Sequence, residues 1–157
     1  MNFEKEIELL QRFSHPNIVQ YLGAQRDDSR LYIFLQYIPG GSIAGLLQKY
    51  GRFPEAVIKG YARQIVEGLT YLHSNGIVHR DIKGANILVM DDGVIKLADF
   101  GASRKILELT GEFLANKSIL GTPGYMAPEV IQKRIFSEKS DVWSVGATVY
   151  EMYVGSR

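Results

Sequence analysis

The stretch HRDIKGAN, residues 79–86, places an aspartate between two basic residues and an asparagine five positions after that aspartate. Phosphoryl transfer requires a carboxylate that orients a hydroxyl nucleophile, and it requires oxygen ligands that hold Mg²⁺. Asp81 can serve as the orienting carboxylate, while Asn86 and Asp99, from the later stretch ADFGAS, can serve as metal ligands. Lys83 would lie on the same side of an extended loop as Asp81, where its charge can neutralise the moving phosphate. These residues therefore predict a loop that handles phosphate and metal.

Turn chemistry is the alternative interpretation of these polar residues, because Asp and Asn favour turns in any protein. Their spacing together with Lys83 goes beyond what a turn requires, so we favour the chemical interpretation. The histidines carry no comparable signal. We interpret His15, in HPN, and His73, at a helix end, as structural, and His79 as a packed core residue.

The composition of the chain restricts its class. It has 157 residues, a net charge of +1 and 46% hydrophobic residues, so no overall field favours nucleic acid or a membrane surface. It contains no cysteine, which excludes disulfides and thiolate metal sites. No apolar run reaches the roughly 18 residues of a transmembrane helix, and the charged start MNFEKEIELL is unlike a signal peptide. We predict one soluble domain, or part of one, in the cytoplasm.

Hydrophobic periodicity predicts four helices around the loop. They cover residues 2–13, 42–51 with Ser42 as N-cap, 54–74 with proline in the first turn, and 138–155, which we expect to be buried. The 54–74 helix is also expected to be mostly buried, because apolar residues recur at helical spacing: Val57, Ile58, Tyr61, Ile65, Leu69 and Leu72.

Runs of β-branched and aromatic residues predict two hairpins. One joins residues 18–24 to 31–38, and the other joins 86–90 to 94–98 around the turn DDG. Residues 99–129 lack periodicity and predict a long loop, which in a compact domain is usually functional. HRDIKGAN thus lies between the longest helix and the second hairpin, where a fixed scaffold can position it.

HRDIKGAN followed by DFG and then APE resembles the signature of protein kinases. The stretches EIELLQRFSHPNIVQYLGA, PGGSI, FPEAVIKGYARQIVEGLTYLHSNGIVHRDIKGANIL and KLADFGASRKI resemble the serine/threonine MAP kinase kinase kinases of MEKK type. Lys83 is typical of serine/threonine kinases. GTPGYMAPE departs from the GTPYWMAPE usual in that group at Gly124 and Tyr125, which bears on substrate selection. The resemblance extends over the whole chain.

This resemblance implies an incomplete kinase fold of the α+β class. Residues 1–35 would be a remnant of the small N-lobe, 36–41 the hinge, and 42–157 a C-lobe cut after the family's αF helix, with the activation segment at 99–129. The implied function is transfer of the ATP γ-phosphate, with Mg²⁺, to Ser or Thr of a protein substrate such as a MAP kinase kinase. No nucleic acid or membrane partner is implied.

For nucleotide binding, the resemblance assigns roles to residues before the first hairpin, at its end and after it. Glu6 would pair with an ATP-anchoring lysine, and Leu35 would be the gatekeeper. Gln36, Tyr37 and Ile38 would form the hinge that meets adenine, and Leu88 would lie beneath the ring. Lys83, Asn86 and Asp99 would contact the phosphates and metal. A hydrophobic column would join the lobes through Leu10, Tyr21, His79 and Phe100.

For catalysis and regulation, Thr122 would brace Asp81 and Lys83, and Asp141 would hold the backbone of the HRD residues. Arg80 and Arg104 would meet a phosphate on Ser118, which orders the activation loop by charge-assisted pairs. Two plainer interpretations stay open: Ser118 as an unmodified loop residue and Glu6 as a solvated surface charge.

Two family features are missing from these 157 residues, namely a G-x-G-x-x-G loop and a strand like VAIK that ends in the ATP-anchoring lysine. The arginine expected to pair with Glu129 would also lie outside them. We therefore expect residues 1–157 alone to transfer phosphate weakly. A truncated, pseudokinase-like binding module is the alternative function. We also expect poor solubility or self-association, from an open hairpin edge and uncovered apolar residues around Trp143, Val145 and Val149.

Overall fold

The computed structural model describes residues 13–27, 30–99 and 121–155, without the side chains at positions 26 and 31. The predicted helix at 2–13 falls almost wholly outside these residues. So do five residues to which the family resemblance assigns roles: Glu6, Leu10, Phe100, Arg104 and Ser118.

Two hairpins and four helices make up the described chain. Strands β1 (Tyr21–Arg26) and β2 (Leu31–Leu35) are followed by helices α1 (Ile43–Tyr50) and α2 (Glu55–Ser74). A 3₁₀ turn at Gly84–Asn86 leads into strands β3 (Ile87–Val89) and β4 (Ile95–Leu97). A second 3₁₀ turn at Pro123–Tyr125 precedes helices α3 (Pro128–Lys133) and α4 (Glu138–Val154). This mixture of two small sheets and larger helices is the predicted α+β class.

The first hairpin forms as predicted, but its first strand begins at Tyr21 and not at residue 18. Val19 donates its backbone N–H to the carbonyl of Leu97 at 2.9 Å, and Leu97 donates to Asn17 at 2.9 Å. Residues 17–19 are therefore bonded to the second hairpin before the chain enters β1. Most side chains of the β1–β2 hairpin face solvent: Leu22, Tyr32, Ile33, Phe34 and Leu35 are all exposed.

Helix α1 has the ends that its sequence predicts. The Ser42 hydroxyl accepts from the Gly45 N–H at 3.1 Å, and Gly51 ends the helix with φ of 77°. Helix α2 runs to Ser74 as expected, with Pro54 one residue before it as N-cap. The prediction that α2 is mostly buried was wrong at its outer face, because Val57 is exposed and only one side packs inward.

The core lies where α1 and α2 pack against the second hairpin and α4 packs against α2. Ile43, Ile65, Leu72, Ile87 and Leu97 are all essentially inaccessible to solvent. Burying a large aliphatic side chain contributes roughly 1.5–3 kcal/mol, so this cluster supplies much of the stability of the chain. The catalytic-type loop at 79–86 rests directly on this core through the fully buried Ile82.

Two predictions near the C-terminal end were wrong. Residues 99–129 are not loop throughout, because the 3₁₀ turn and the start of α3 lie inside that range. Helix α3 has six residues, which are too few to show periodicity. Pro128 is its first residue, a position at which proline favours the start of a helix. Val145 is buried in the core and does not belong to the uncovered face of α4, whereas Trp143 is exposed. Self-association through this face stays a prediction.

Among the described residues, the helices include none that is both long and apolar enough to cross a membrane.

We expect Gly40→Ala to destabilise the protein. A Cβ atom at position 40 would overlap the backbone carbonyl of Val89, and the adjacent Val89 N–H is bonded to the carbonyl of Gly41 at 2.8 Å. Because backbone cannot yield as a side chain does, we expect the free energy of unfolding to fall by about 1–3 kcal/mol in urea titrations. Gly60→Ala, in open space on α2, is the matched control and should be neutral or stabilising. Equal stability of the Gly40→Ala and native proteins would contradict this contact.

Candidate active site

The start of the loop at 79–86 is held by one buried carboxylate from α4. Asp141 Oδ2 accepts the backbone N–H of His79 at 2.8 Å, and its Oδ1 accepts the N–H of Arg80 at 2.9 Å. The same Oδ2 lies 2.8 Å from His73 Nε2, at the end of α2. Asp141 is 1% exposed, so it joins two helices and the loop inside the protein.

Arg80 adopts a backbone conformation that non-glycine residues rarely occupy, with φ of 72°. Such a conformation costs on the order of 1–3 kcal/mol and persists only where the surroundings impose it. The two hydrogen bonds to Asp141 impose it here.

His79 is fully buried, and its ring has partners of opposite kinds. Nε2 lies 3.0 Å from the carbonyl of Ala98, which can only accept, while Nδ1 accepts the backbone N–H of Asp81 at 3.3 Å. These partners require a neutral ring that carries its proton on Nε2. Burial lowers the pKa of His79 below its ordinary value, although nearby carboxylates, chiefly Asp141, oppose this. His79 is therefore a neutral bridge between the loop and the ADF segment.

This lowered pKa predicts a loss of stability in mild acid. Below about pH 6.5 the unfolded chain binds a proton at His79 that the folded chain does not, so the free energy of unfolding decreases as the pH falls. The slope for one such group reaches about 1.4 kcal/mol per pH unit. We expect the His79 ring resonances in NMR to keep neutral-imidazole shifts down to the pH of unfolding. Titration of this ring above pH 6.5 would contradict the assignment.

The carboxylate of Asp81 is bonded at both oxygens. Thr122 donates its hydroxyl to Oδ1 at 3.0 Å, and Asn86 donates its side-chain amide to Oδ2 at 2.9 Å. Lys83 Nζ lies 2.8 Å from the same Oδ2 and donates to Thr122 Oγ1 at 2.7 Å. Burial alone would raise the pKa of Asp81, but the bonds from Lys83, Thr122 and Asn86 outweigh it and hold the pKa below its ordinary value of 3.8. Asp81 is thus ionised at neutral pH.

The structure therefore brings together four of the residues singled out from the sequence: Asp81, Lys83, Asn86 and Thr122. Thr122 comes from a different part of the chain, 41 residues after Asp81. Lys83 was expected to face a phosphate, and here it is paired with Asp81 and Thr122. The Asp81 side chain keeps 15% of its surface exposed, so a hydroxyl group can reach it.

Asn86 and Asp99 fit the requirements of a Mg²⁺ site. The Asn86 amide nitrogen is occupied by two bonds to Asp81, to its backbone carbonyl at 2.8 Å and to its carboxylate. Within the part of the chain that the structure describes, this orientation leaves the amide oxygen available. The backbone carbonyl of Asn86 accepts the Ala98 N–H at 2.9 Å, which places Asp99 one residue from that bond. Asp99 is exposed, with φ of 59°, so its carboxylate is open to a ligand.

This donor set suits a metal held jointly with phosphate. Mg²⁺ usually binds through one or two protein oxygen ligands together with phosphates and waters. In the described part of the chain, no three His, Cys, Asp or Glu side chains cluster as a protein-only metal site. One carboxylate and one amide oxygen beside a lysine therefore match Mg²⁺ bound with a nucleotide.

The residues expected to meet adenine lie between β2 and α1. Leu35 ends β2 and is half exposed, opposite Tyr21. Gln36 donates its N–H to Gln20 at 2.8 Å, so that donor is already used. Within the described chain the backbone groups of Tyr37 and Ile38 make no hydrogen bonds, although Ile38 is buried.

Leu88 and Tyr21, which the resemblance assigns to the adenine site and the hydrophobic column, lie in different hairpins. Leu88, partly buried, pairs with Lys96 in the second hairpin and bridges to Ser42. Tyr21 is buried, and burial raises its pKa. Two other residues of the expected column, Leu10 and Phe100, lie outside the described chain.

The Arg80 guanidinium lies over the ring of Phe136, 4.9 Å from its centroid. A planar cation on an aromatic face is a favourable contact, and it keeps the guanidinium near the segment that joins α3 to α4. Its expected partners for phosphate binding, Arg104 and Ser118, lie outside the described residues. Glu129 is partly buried, and no described side chain bonds to its carboxylate.

Three residues of this region were missed or underrated in the sequence. His73 was interpreted as a helix-end residue, yet it contacts Asp141. Ser144 donates its hydroxyl to the carbonyl of Tyr125 at 2.8 Å and so fixes the second 3₁₀ turn to α4. Glu151 accepts the backbone N–H of Gly84 at 3.2 Å. All three contacts join distant parts of the chain. The only general rule that could have suggested them is that buried polar groups form hydrogen bonds.

Comparison with known proteins agrees with the motif order. The family model of the protein kinase domain matches residues 1–157. Mitogen-activated protein kinase kinase kinase ANP1 of Arabidopsis thaliana is 56% identical over 97% of this chain and 23% of its own length. Mitogen-activated protein kinase kinase kinase A of Dictyostelium discoideum is 51% identical over 97% and 16%. Mitogen-activated protein kinase kinase kinase 3 of Homo sapiens is 50% identical over 95% and 24%. The chain spans about a quarter or less of these relatives.

Proposed function

The chain belongs to the protein kinase family, and we propose that it forms the phosphoryl-transfer centre of a serine/threonine kinase that uses ATP and Mg²⁺. The observation that carries this proposal is the group around Asp81. An ionised carboxylate is bonded to Lys83, Thr122 and Asn86, and Asp99 lies next to the segment that bonds Asn86. A positioned base, a cation and two metal-type oxygen ligands are the parts that phosphoryl transfer requires.

In this proposal Asp81 orients the hydroxyl of the acceptor, whose oxygen bonds to the γ-phosphorus while the bond from that phosphorus to the β–γ bridging oxygen breaks and ADP leaves, and Asp81 takes the hydroxyl proton. Its low pKa makes it a weak base, so its main contribution is orientation, with the proton transferred late. Thr122 fixes Oδ1, and therefore Oδ2 is the oxygen whose partners must rearrange. Lys83 can leave Oδ2 and turn its ammonium toward the transferred phosphate.

Asn86, through its amide oxygen, and Asp99, through its carboxylate, would hold Mg²⁺ against the phosphates. When bound, the ion neutralises charge on the phosphate oxygens and fixes their orientation. We propose that the Leu35–Ile38 segment and Leu88 contact the adenine. Glu6 would pair with a lysine that anchors the phosphates, and Arg80, Arg104 and a phosphorylated Ser118 would order the activation segment.

The acceptor is proposed to be a MAP kinase kinase. Each of the relatives described above is named a mitogen-activated protein kinase kinase kinase, a name that implies an acceptor one step along such a cascade. The Gly124–Tyr125 pair lies on the 3₁₀ turn beside Thr122, in a position to contact the acceptor. Lys83 supports a serine or threonine hydroxyl as the group that is phosphorylated.

The metal dependence of phosphoryl transfer tests this proposal. We expect Asp99→Asn to raise the Mg²⁺ concentration for half-maximal transfer at least tenfold in the native protein, because a carboxylate ligand is lost. Asp91→Asn, in the exposed turn between β3 and β4, is the matched control and should leave the Mg²⁺ curve unchanged. Identical curves for Asp99→Asn and the native protein would contradict the proposed metal site.

A further inference from the structure

Glu151, near the C-terminal end of α4, contacts the loop at 79–86. Its Oε2 accepts the backbone N–H of Gly84 at 3.2 Å, across 67 residues of chain. Gly84 opens the 3₁₀ turn Gly84–Asn86, between Lys83 and Asn86. A hydrogen bond to a carboxylate is roughly twice as strong as one between neutral groups, so this contact can fix the turn.

Gly84 is required for space and not for backbone conformation. It is buried, and it is absent from the described glycines that have positive φ. A Cβ atom at this position would lie 2.5 Å from Glu151 Oε2 and 3.0 Å from its Cδ. The carboxylate of Glu151 thus occupies the volume that any side chain at position 84 would take.

The turn held in this way carries the proposed metal ligand. The Asn86 N–H donates to the carbonyl of Lys83 at 3.0 Å, which closes the turn around Gly84. The Asn86 side chain then reaches back to Asp81 and leaves its oxygen available. A shift of Gly84 would therefore move Asn86 relative to Asp81.

We propose that Glu151 is a positioning residue for phosphoryl transfer, which acts through Gly84 to orient the Asn86 amide oxygen toward Mg²⁺. Glu151 does not touch the reacting atoms. The inference rests on the proposed function, and it adds to it a residue on α4 that no motif includes. Groups that orient a metal ligand commonly change metal affinity 10–100-fold when they are removed.

The test compares Glu151→Ala, Glu151→Gln and, as control, Glu138→Ala at the exposed first turn of the same helix, all in the native protein. Glu151→Ala should raise about 10-fold both the half-saturating Mg²⁺ concentration for transfer and the Mg²⁺ dissociation constant measured by calorimetry with a non-hydrolysable ATP analogue. It should also lower kcat, with KM for the acceptor unchanged. Glu151→Gln keeps an oxygen acceptor and should restore most of the native Mg²⁺ dependence. Glu138→Ala should behave as the native protein.

Gly84→Ala probes the same contact from the other side. The new methyl group meets the end of a flexible side chain, so it should displace the Glu151 carboxylate and leave the fold intact. Gly84→Ala should raise the half-saturating Mg²⁺ concentration as much as Glu151→Ala does. The double variant should have no higher a half-saturating Mg²⁺ concentration than either single variant. Gly60→Ala serves as its control.

The outcomes separate the inference from the proposed function. The positioning role is overturned, and the function stands, if the native protein transfers phosphate but Glu151→Ala keeps the native Mg²⁺ curve. The same conclusion follows if the effects of Glu151→Ala and Gly84→Ala on the Mg²⁺ dependence add fully in the double variant. If the native protein transfers no phosphate, the proposed function fails and the inference fails with it. A Mg²⁺ shift in Glu151→Ala that Glu151→Gln reverses supports the inference.

Discussion

Replacing Asp81 with asparagine is expected to lower kcat for phosphoryl transfer by about 10²–10⁴-fold, the usual contribution of a positioned acid–base group. Asparagine keeps the size of the side chain but cannot accept the proton of the acceptor hydroxyl. It also removes the negative charge that holds Lys83 at 2.8 Å and receives bonds from Thr122 and Asn86. Both the orientation of the hydroxyl and the order of the surrounding donors are then lost.

Steady-state kinetics with MgATP and a protein acceptor measures this effect. The KM for MgATP should change much less than kcat, because Asp81 is not itself a proposed nucleotide ligand and affects the nucleotide only through Lys83 and Asn86. Asp91→Asn is again the control, since that carboxylate is exposed on the β3–β4 turn and should leave kcat at the native level. A kcat for Asp81→Asn within threefold of the native value would exclude Asp81 from the chemical step.

The second large effect is expected for Asp141→Ala, in stability. Asp141 is 1% exposed and accepts the backbone N–H groups of His79 and Arg80 together with His73 Nε2. Removal leaves two backbone donors at the anchor point without a partner, at about 1–3 kcal/mol each. It also frees the strained backbone of Arg80, whose φ is 72°. Because two buried donors lose their acceptor, we expect the free energy of unfolding to fall by about 2–6 kcal/mol.

Urea denaturation of the native and Asp141→Ala proteins measures the loss, with Lys139→Ala on the exposed side of α4 as control. Asp141→Asn should be intermediate, because an amide can accept from only one of its two positions. A loss below about 1 kcal/mol for Asp141→Ala would show that the loop is anchored by other contacts. If Asp141→Ala does not fold, Asp141→Asn still shows whether the free energy of unfolding falls and by roughly how much.

Local signals predicted the parts of this fold in which neighbouring residues determine the structure. Ser42 and Gly51 bound α1 because one hydroxyl and one glycine satisfy the helix ends by themselves. The DDG turn predicted the second hairpin because its turn residues likewise act on their immediate neighbours. Helix α3 was missed because its six residues span fewer than two turns, and so apolar spacing cannot identify it.

Burial was predictable only where one face of a helix has an evident partner. Val145 and Trp143 are two positions apart on α4 and look alike in the sequence, yet Val145 is in the core and Trp143 is exposed. The difference depends on which elements pack against α4, and these include the distant helix α2. Sequence spacing alone does not contain that information.

In the site, the chemical type of each residue was predictable but the contacts were not. Asp81, Asn86 and Asp99 were selected by spacing, and the structure places them in one region. The family resemblance implied that Thr122 braces Asp81 and Lys83, but residue spacing alone could not, because Thr122 lies 39 residues after Lys83. The bond from Gly84 to Glu151 also joins distant positions, and it had no sequence signal.

Identification of the phosphorylated amino acid tests the central claim most directly. The native protein would be incubated with Mg²⁺, γ-labelled ATP and a MAP kinase kinase as acceptor, and the acceptor hydrolysed for phosphoamino acid analysis. The account predicts label on serine or threonine that is lost in Asp81→Asn. Label on tyrosine, label that persists at the native rate in Asp81→Asn, or no transfer at all would contradict it, and the last result would favour a binding module.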